Sequence, residues 1–472
     1  MNKSPHLPMG YLDSAGRISI TPIHPHTKTF GVGVHPRSKM RGILGRCGDK
    51  RFLFASFFAL AFILGPAPHV YAAAPKSPVI LSPKVNERVL TFTPVITGVA
   101  ENNTRIIVII DDKIVGSVKT KNGKRGTGTF IFRTKSLKSG SHAAYVLADR
   151  GGARSNNSSK TSFTIPKNVV RRLDGVIVPL EKYRSWPVGV MIENLPTVRN
   201  NQRGLSEASV VYETLAEGGA TRFLALFDGE NLKAGRITPI RSVRPYYAQW
   251  AREYGAVVMH AGGSPDGVWE IRRLHLQDAD YLKGKTSKYF WRTDRSQSVH
   301  NLATSNVRIN KMLADFGRRD DIPDFQSWKF KPQAALASRG KNGSSVVISF
   351  GAKAFQVEYR YNRLKNMYER WNGSIPHRDA NTKKQLAAKN VIVQYVPKEK
   401  VLDRKGRLEI KTTGSGSGLL MQDGKFLTVR WTKKTSSSRT IFRYTNGKEI
   451  ELNGGPIWIE VVPRGKTVTL RK

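Results

Sequence analysis

Residues 73–168 and 330–472 are divided by closely spaced turn signals into short runs of β-branched and aromatic residues, which leaves no room for long helices. In the first stretch PVITGVA, TRIIVIIDDKIVGSV, GTGTFIFRT, HAAYVLAD and KTSFTI alternate with KNGK, KSGSH and DRGG. In the second, SSVVISF, FQVEYRYN, NVIVQYV, FLTVRWT, TIFRYTN and PIWIEVV succeed one another with almost no helical period. Residues 169–329 differ in kind: a connector, VVRRLDGVIVPLEKYRS, leads to the strand PVGVMIEN and then to alternating strands and helices. The expectation is a multidomain chain: a β-sandwich over 73–168, an α+β domain with a mixed sheet and helices over 169–329, and a β-dominated domain over 330–472.

The first 72 residues are a leader. Arg41, Arg46, Lys50 and Arg51 precede the apolar run FLFASFFALAFILG at 52–65, and Val70 and Ala72 occupy the −3 and −1 positions of a small-residue cleavage site. This reads as a secretory signal peptide cut after Ala72, with Met40 as an alternative start. An uncleaved N-terminal anchor is the alternative, disfavoured because a span needs roughly 20 apolar residues. No stable membrane span is expected after cleavage. Cys47 is the only cysteine, so disulfides are excluded, no lipobox cysteine follows the apolar run, and the exported chain holds no Cys/His zinc site. No cofactor and no metal site are expected.

The net charge of +43 invites a polyanionic partner, and its distribution qualifies the invitation. Residues 73–170 hold 16 basic and 5 acidic groups, 171–329 hold 24 and 18, and 330–472 hold 29 and 10. The flanking β segments therefore carry the excess, as diffuse attachment to a negatively charged envelope requires, and the nearly balanced centre is where specificity is expected. Nucleic acid is a non-specific possibility through charge alone, since no RNA-recognition or zinc-finger motif is present and export argues against a genetic role.

Candidate chemistry concentrates in the centre. In IRSVRPYYAQWAREYG, Arg241 and Arg244 stand before Pro245, which suits the first turn of a helix continued by Tyr247, Trp250 and Tyr254. AVVMH then reads as a buried strand ending at His260. Gly262 and Gly263 follow, Ser264 is a good N-cap, Pro265 suits N1 and Asp266 complements the helix dipole. A strand end, a glycine turn and a helix N-terminus make an anion site if they converge. The same glycines serve equally as a tight turn, and His260 as a hydrogen-bonded strand end. VVYETLAE and TRFLALF read as a hairpin placing Glu213, Glu217 and Arg222 near one sheet, so either acid would be a partner for the arginines in a structural ion network. FWRTDRSQSVHNL adds Arg292, His300 and Asn301, as a surface loop or as the opposite wall of the same cleft. TTGSGSGLL reads as a hairpin connection, because a P-loop needs a lysine where Leu419 stands.

These stretches resemble the YerB-like family of bacterial envelope proteins. PVGVMIEN, RGLSEASVVYETLAEGGATRFLALF, RITPIRSVRPYYAQWAREYGAVVMHAGGSP and FWRTDRSQSVHNL are similar to its N-terminal domain; MYERWNGSIPHRDANTKKQL, KNVIVQYV, TVRWTKK and NGGPIWIEVVP are similar to its C-terminal domain. The resemblance implies secreted or lipid-anchored proteins of unknown function. It singles out Glu213, Glu217, Arg222, Arg241, Ser242, Arg244, His260, Gly262, Ser264, Arg292, His300 and Asn301. Residues 73–168 resemble bacterial Ig-like modules in ITGVAENNTRIIVIIDDKIVG and GSHAAYVLADRGGARSNNS, which implies a spacer or adhesive role.

The leading expectation is a secreted envelope-associated protein binding an anionic polymer or a phosphorylated, lipid-linked component through an Arg/His cleft of Arg222, Arg241, Arg244, His260, Gly262, Gly263, Ser264, Arg292, His300 and Asn301. The alternative is a hydrolase or transferase on that material, with His260 or His300 as base and Ser264 as nucleophile. If Arg244 serves a ligand, Arg244→Ala weakens binding and spares stability; if it is structural, the reverse holds.

Overall fold

The computed structural model describes residues 73–294, 298–318 and 323–471, so the leader and the expected cut after Ala72 lie outside the described residues. The chain is multidomain and β-dominated. Its first module is a sandwich of two sheets. One orders Val79–Ser82, Val95–Glu101 and Thr127–Arg133; the other orders Glu87–Arg88, Thr161–Ile165, Gly140–Arg150, Arg105–Ile110 and Lys113–Lys119. Alternation along Val95–Glu101 and Thr161–Ile165 sends every second side chain inward, so Ile96, Ile106, Val108, Phe130, Val146 and Phe163 fill one core. The connector does not belong to the next domain alone. Its hairpin, Asn168–Val170 with Ile177–Pro179, lends Val169, Val178 and Leu180 to the sandwich core.

The remainder is organised by one ten-stranded sheet. In chain order its strands are β1 (Pro187–Glu193), β2 (Val210–Leu215), β3 (Thr221–Asp228), β4 (Val257–His260), β5 (Asp278–Asp280), β6 (Asn390–Val396), β7 (Gly414–Gln422), β8 (Lys425–Lys433), β9 (Ile441–Tyr444) and β10 (Ile457–Pro463). They lie in the order β5-β4-β1-β3-β2-β10-β6-β7-β8-β9. The expected hairpin is present, with Leu215 opposite Thr221 in β2 and β3. The two expected domains share this sheet: β10 pairs in parallel with β2, from Val210 opposite Ile457 to Glu213 opposite Glu460. A single hydrophobic core takes residues from both halves, among them Tyr212, Trp250, Val393, Trp431 and Trp458. A smaller sheet, built on Ser345–Ser349, Gln356–Asn362 and Met367–Asn372, completes the C-terminal half.

Three helices of nine or ten residues lie in the first half: α1 (Pro245–Glu253), α2 (Pro265–Arg273) and α3 (Asn306–Asp315). α1 buries Tyr246, Tyr247 and Trp250, and Trp250 stacks on Tyr212 of β2 with ring centroids 5.0 Å apart. Its last residue, Glu253, pairs in the interior with Lys433 of β8 at 2.6 Å, a second tie between the halves. The glycine-serine stretch corrects the sequence reading, for β7 is a nine-residue strand and no connection. Its glycines answer close approach: a Cβ on Gly416 would stand 2.6 Å from Trp431 Nε1, and one on Gly418 2.8 Å from the Val393 carbonyl.

Candidate functional site

The arginines picked out from the sequence assemble, but on carboxylates of their own chain. Glu217, in the β2–β3 turn, pairs with Arg222 at 3.3 Å and with Arg244, the N-cap residue of α1. Arg222 also donates to the Ser242 carbonyl at 2.7 Å. Glu193, at the end of β1, faces Arg241 through one oxygen at 3.4 Å and His300 Nδ1 through the other at 2.8 Å. Burial pushes the pKa values of Arg241 and Arg244 down from the ordinary arginine value. Arg292 donates to the Ser298 carbonyl and to Asn301 Oδ1 at 2.6 and 2.8 Å, and Asn301 donates in turn to Asp294 at 2.7 Å. The cluster is the structural ion network, with its donors directed inward.

His260 stands elsewhere. It is fully buried, its Nδ1 2.8 Å from the Gly262 carbonyl and its Nε2 3.2 Å from Asp278 Oδ2. Gly262 takes φ 61°, in the left-handed region that glycine enters without cost, and its N–H donates to Asp280 Oδ1 at 2.7 Å. That N–H is therefore spent within the chain and is not offered to a ligand. Ser264 is the cap predicted for it, its Oγ accepting from Gly267 N–H at 3.1 Å. His260 and His300 are committed to different acids, and His260, being fully buried, faces no open cleft. The sequence named no metal site, yet His260, Asp278 and Asp280 bring ligand atoms within 4.8 Å of one another. One imidazole and two carboxylates suit a divalent cation in kind. Here their atoms are already bonded, since Lys283 Nζ holds Asp278 at 2.7 Å and Asp280 serves two backbone N–H groups. Burial opposes its charge, but the bonds from His260 and Lys283 hold Asp278 below the usual carboxylate range.

Glu213 parts company with Glu217 and leads to the site the sequence reading missed. Fully buried on β2, it pairs at 2.5 Å with Arg370, whose guanidinium also reaches Glu460 of β10 at 3.0 Å and lies 4.5 Å over the Trp458 ring. Arg370 Nε donates to His377 Nδ1 at 3.1 Å, and His377 Nε2 meets Gln202 Oε1 at 2.5 Å. With both nitrogens so used the imidazole is neutral, and burial, with Arg370 and Arg199 nearby, holds its pKa well below the ordinary histidine value.

Above this network lies a cavity of about 710 Å³, where segment 196–200 of the first half faces segment 372–383 of the second. Its walls carry Arg199, Lys353, Arg378 and Lys383, and none of the four has an ion-pair partner among the described residues. The one acid in the wall, Asp379, is buried and accepts from the backbone N–H groups of Ser206 and Asn381 at 2.9 and 2.8 Å. Arg199 is held in place by two bonds to Asn194 and lies 5.3 Å from the centre of the Phe355 ring. Burial lowers its pKa to about 10, with Glu213 opposing the shift and Arg370 adding to it. By contrast, none of the ten ligand residues expected from the sequence lines this cavity. The legible signal was the run HRDANTKK, basic and nearly acid-free. Its meeting with Arg199, some 180 positions earlier, was not legible.

Residues 174–319 match the profile described as protein of unknown function (DUF3048) N-terminal domain, and 346–459 match its C-terminal domain. The putative lipoprotein YerB of Bacillus subtilis (strain 168) is 31% identical over 285 residues, 59% of this chain and 81% of that protein. The crystal structure of the YerB protein from Bacillus subtilis superposes with a TM-score of 0.56 at 26% identity, covering 64% of this chain and 99% of that one. Fibronectin(III)-like modules of Clostridium thermocellum CbhA give a TM-score of 0.15 at 14% identity, over 19% of this chain and 95% of theirs.

Proposed function

Because this chain belongs to the DUF3048 family that includes the putative lipoprotein YerB, a family whose name assigns no activity, we propose from its own geometry that it is an envelope-associated protein binding an anionic ligand in the cavity between its halves. The observation that carries this reading is the set of four cations, Arg199, Lys353, Arg378 and Lys383, around one 710 Å³ cavity without a paired carboxylate. Bringing like charges together costs free energy that a bound anion recovers. Arg199 is the strongest of them, since its half-buried guanidinium is pre-oriented by Asn194 and keeps donors to spare for phosphate or carboxylate.

An envelope location agrees with the relative's description as a lipoprotein and with the basic, apolar and small-residue succession of the leader. Among the described residues no helix is long and apolar enough to cross a membrane. The cationic flanking segments would hold the molecule against a negatively charged surface, leaving the cavity to select. The hydrolase reading is weakened because Ser264 is a helix cap, His260 is sealed in the interior and His300 Nδ1 is engaged with Glu193.

Retention of phosphate-bearing cell-wall fragments on the immobilised protein tests the reading. Retention that survives high salt and is lost in Arg199→Gln is the expected result. Binding that disappears with salt alike in both proteins would reduce the interaction to charge and contradict a specific cavity.

A further inference from the structure

Beside the first cavity lies a second, of about 530 Å³, whose walls include Leu205, Ser206, Lys365, Lys384, Gln385 and Trp458. Arg378 lines both. The partition between them is the stretch from Arg378 to Gln385, closed by a bridge between those two residues. Neighbouring residues on this stretch serve different sides, Lys383 lining the first cavity and Lys384 the second, with the backbone at Lys383 in the left-handed region at φ 59°. The partition is anchored from below. Ala380 N–H donates to the Gln202 carbonyl, Arg203 Nη1 to the Ala380 carbonyl and Asn381 to the Arg236 carbonyl, each at 2.8 Å. In the second cavity Glu369 is taken by Lys365 at 2.9 Å, while Lys384 and Arg378 have no ion-pair partner among the described residues.

We propose that the ligand of this junction is a linear polyanion, a chain of repeated phosphate groups that crosses the Arg378 partition and places charges in both cavities. The inference rests on the anion-binding reading above and deepens it: a single small anion would use only the first cavity, whereas a chain crossing Arg378 would also meet the exposed Lys384. A base-free polymer is favoured over nucleic acid because the aromatic rings in the two walls, His377 in the first and Trp458 in the second, are both buried. Single-stranded binders that track a backbone offer aromatic faces for stacking, and this junction offers none.

Calorimetric titration of the full chain with orthophosphate and with linear polyphosphates of increasing defined length tests this. Affinity should rise at least about tenfold from the single phosphate to a chain long enough for both cavities, as two linked sites require. Lys384→Gln should abolish most of that rise without changing orthophosphate binding, Arg199→Gln should weaken every ligand, and Arg378→Gln should do both. Affinity independent of length, or a length effect that Lys384→Gln leaves intact, would overturn the two-cavity assignment while leaving the single anion site standing. Equal binding of single-stranded DNA of matched charge, with the same sensitivity to Lys384→Gln, would overturn the base-free polymer. If no phosphate ligand responds to Arg199→Gln, the anion-binding reading itself fails.

Discussion

Arg370 carries a charge into the fully buried space between β2, β10 and the smaller sheet, and its surroundings divide the acids of that space into two kinds. Burial, reinforced by the negative charge of Glu213, pushes the Glu460 pKa well above the usual carboxylate range. Glu460 accepts from Tyr359 and Arg370 through Oε1. Its unfolded-state pKa is about 4.3. As pH rises above that value the unfolded chain releases a proton that the folded chain keeps, so this group lowers stability with increasing pH. Glu460→Gln removes the proton exchange, and its stability relative to the native chain should grow with pH, by at most about 1.4 kcal/mol per pH unit, in urea unfolding at several pH values. Arg370→Met should instead cost about 3–5 kcal/mol, because it strands a buried Glu213 carboxylate. The sequence offered no warning of this site. Arg370, Glu213 and Glu460 are distant along the chain, and the strand pairing that gathers them is a tertiary fact.

At the scale of single elements the sequence was much more informative, since caps and turns are local. Pro245 and Pro265 open α1 and α2 where expected, Ser264 caps α2, and the glycines after Glu217 turn β2 into β3. Ser264→Ala should cost about 1 kcal/mol of stability, seen as a lowered Tm, with ligand affinity unchanged, since the hydroxyl serves only Gly267. What escaped was β7. Glycine and serine weaken a strand by propensity, so GSGSG reads as a connection. The structure supplies the missing reason, for small residues are demanded where Trp431 and the Val393 and Tyr395 carbonyls press against the strand. The arginine cluster shows the opposite error. Arg222, Arg241 and Arg244 were rightly brought together, yet pairing with Glu217 and Glu193 makes them a clasp between the β2–β3 turn and the start of α1.

For the whole molecule, the shared ten-stranded sheet changes what the charge distribution means. The expectation placed specificity in the nearly neutral centre and diffuse attachment in the basic C-terminal half. Since β2 and β10 join the two, the junction combines a half-buried Arg199 from one with Lys353, Arg378 and Lys383 from the other, and neither half holds the cavity alone. The leader pattern and the excess of positive charge, on which the proposed envelope association and anion binding draw, were legible in the sequence. The location of the site was not, because it is made by the meeting of segments on either side of the sheet.

The most direct measurement is a calorimetric titration of one phosphate ligand, with Tm recorded in parallel, for the native chain, Arg199→Gln and Arg244→Gln. The account predicts that Arg199→Gln loses about 1.4 kcal/mol of binding or more, a factor of ten, at an unchanged Tm. Arg244→Gln should keep its affinity and lose about 1–3 kcal/mol of stability as Glu217 loses one of its two arginine partners. The reverse pattern, with affinity lost at Arg244 and untouched at Arg199, would contradict it and return the site to the arginine cluster.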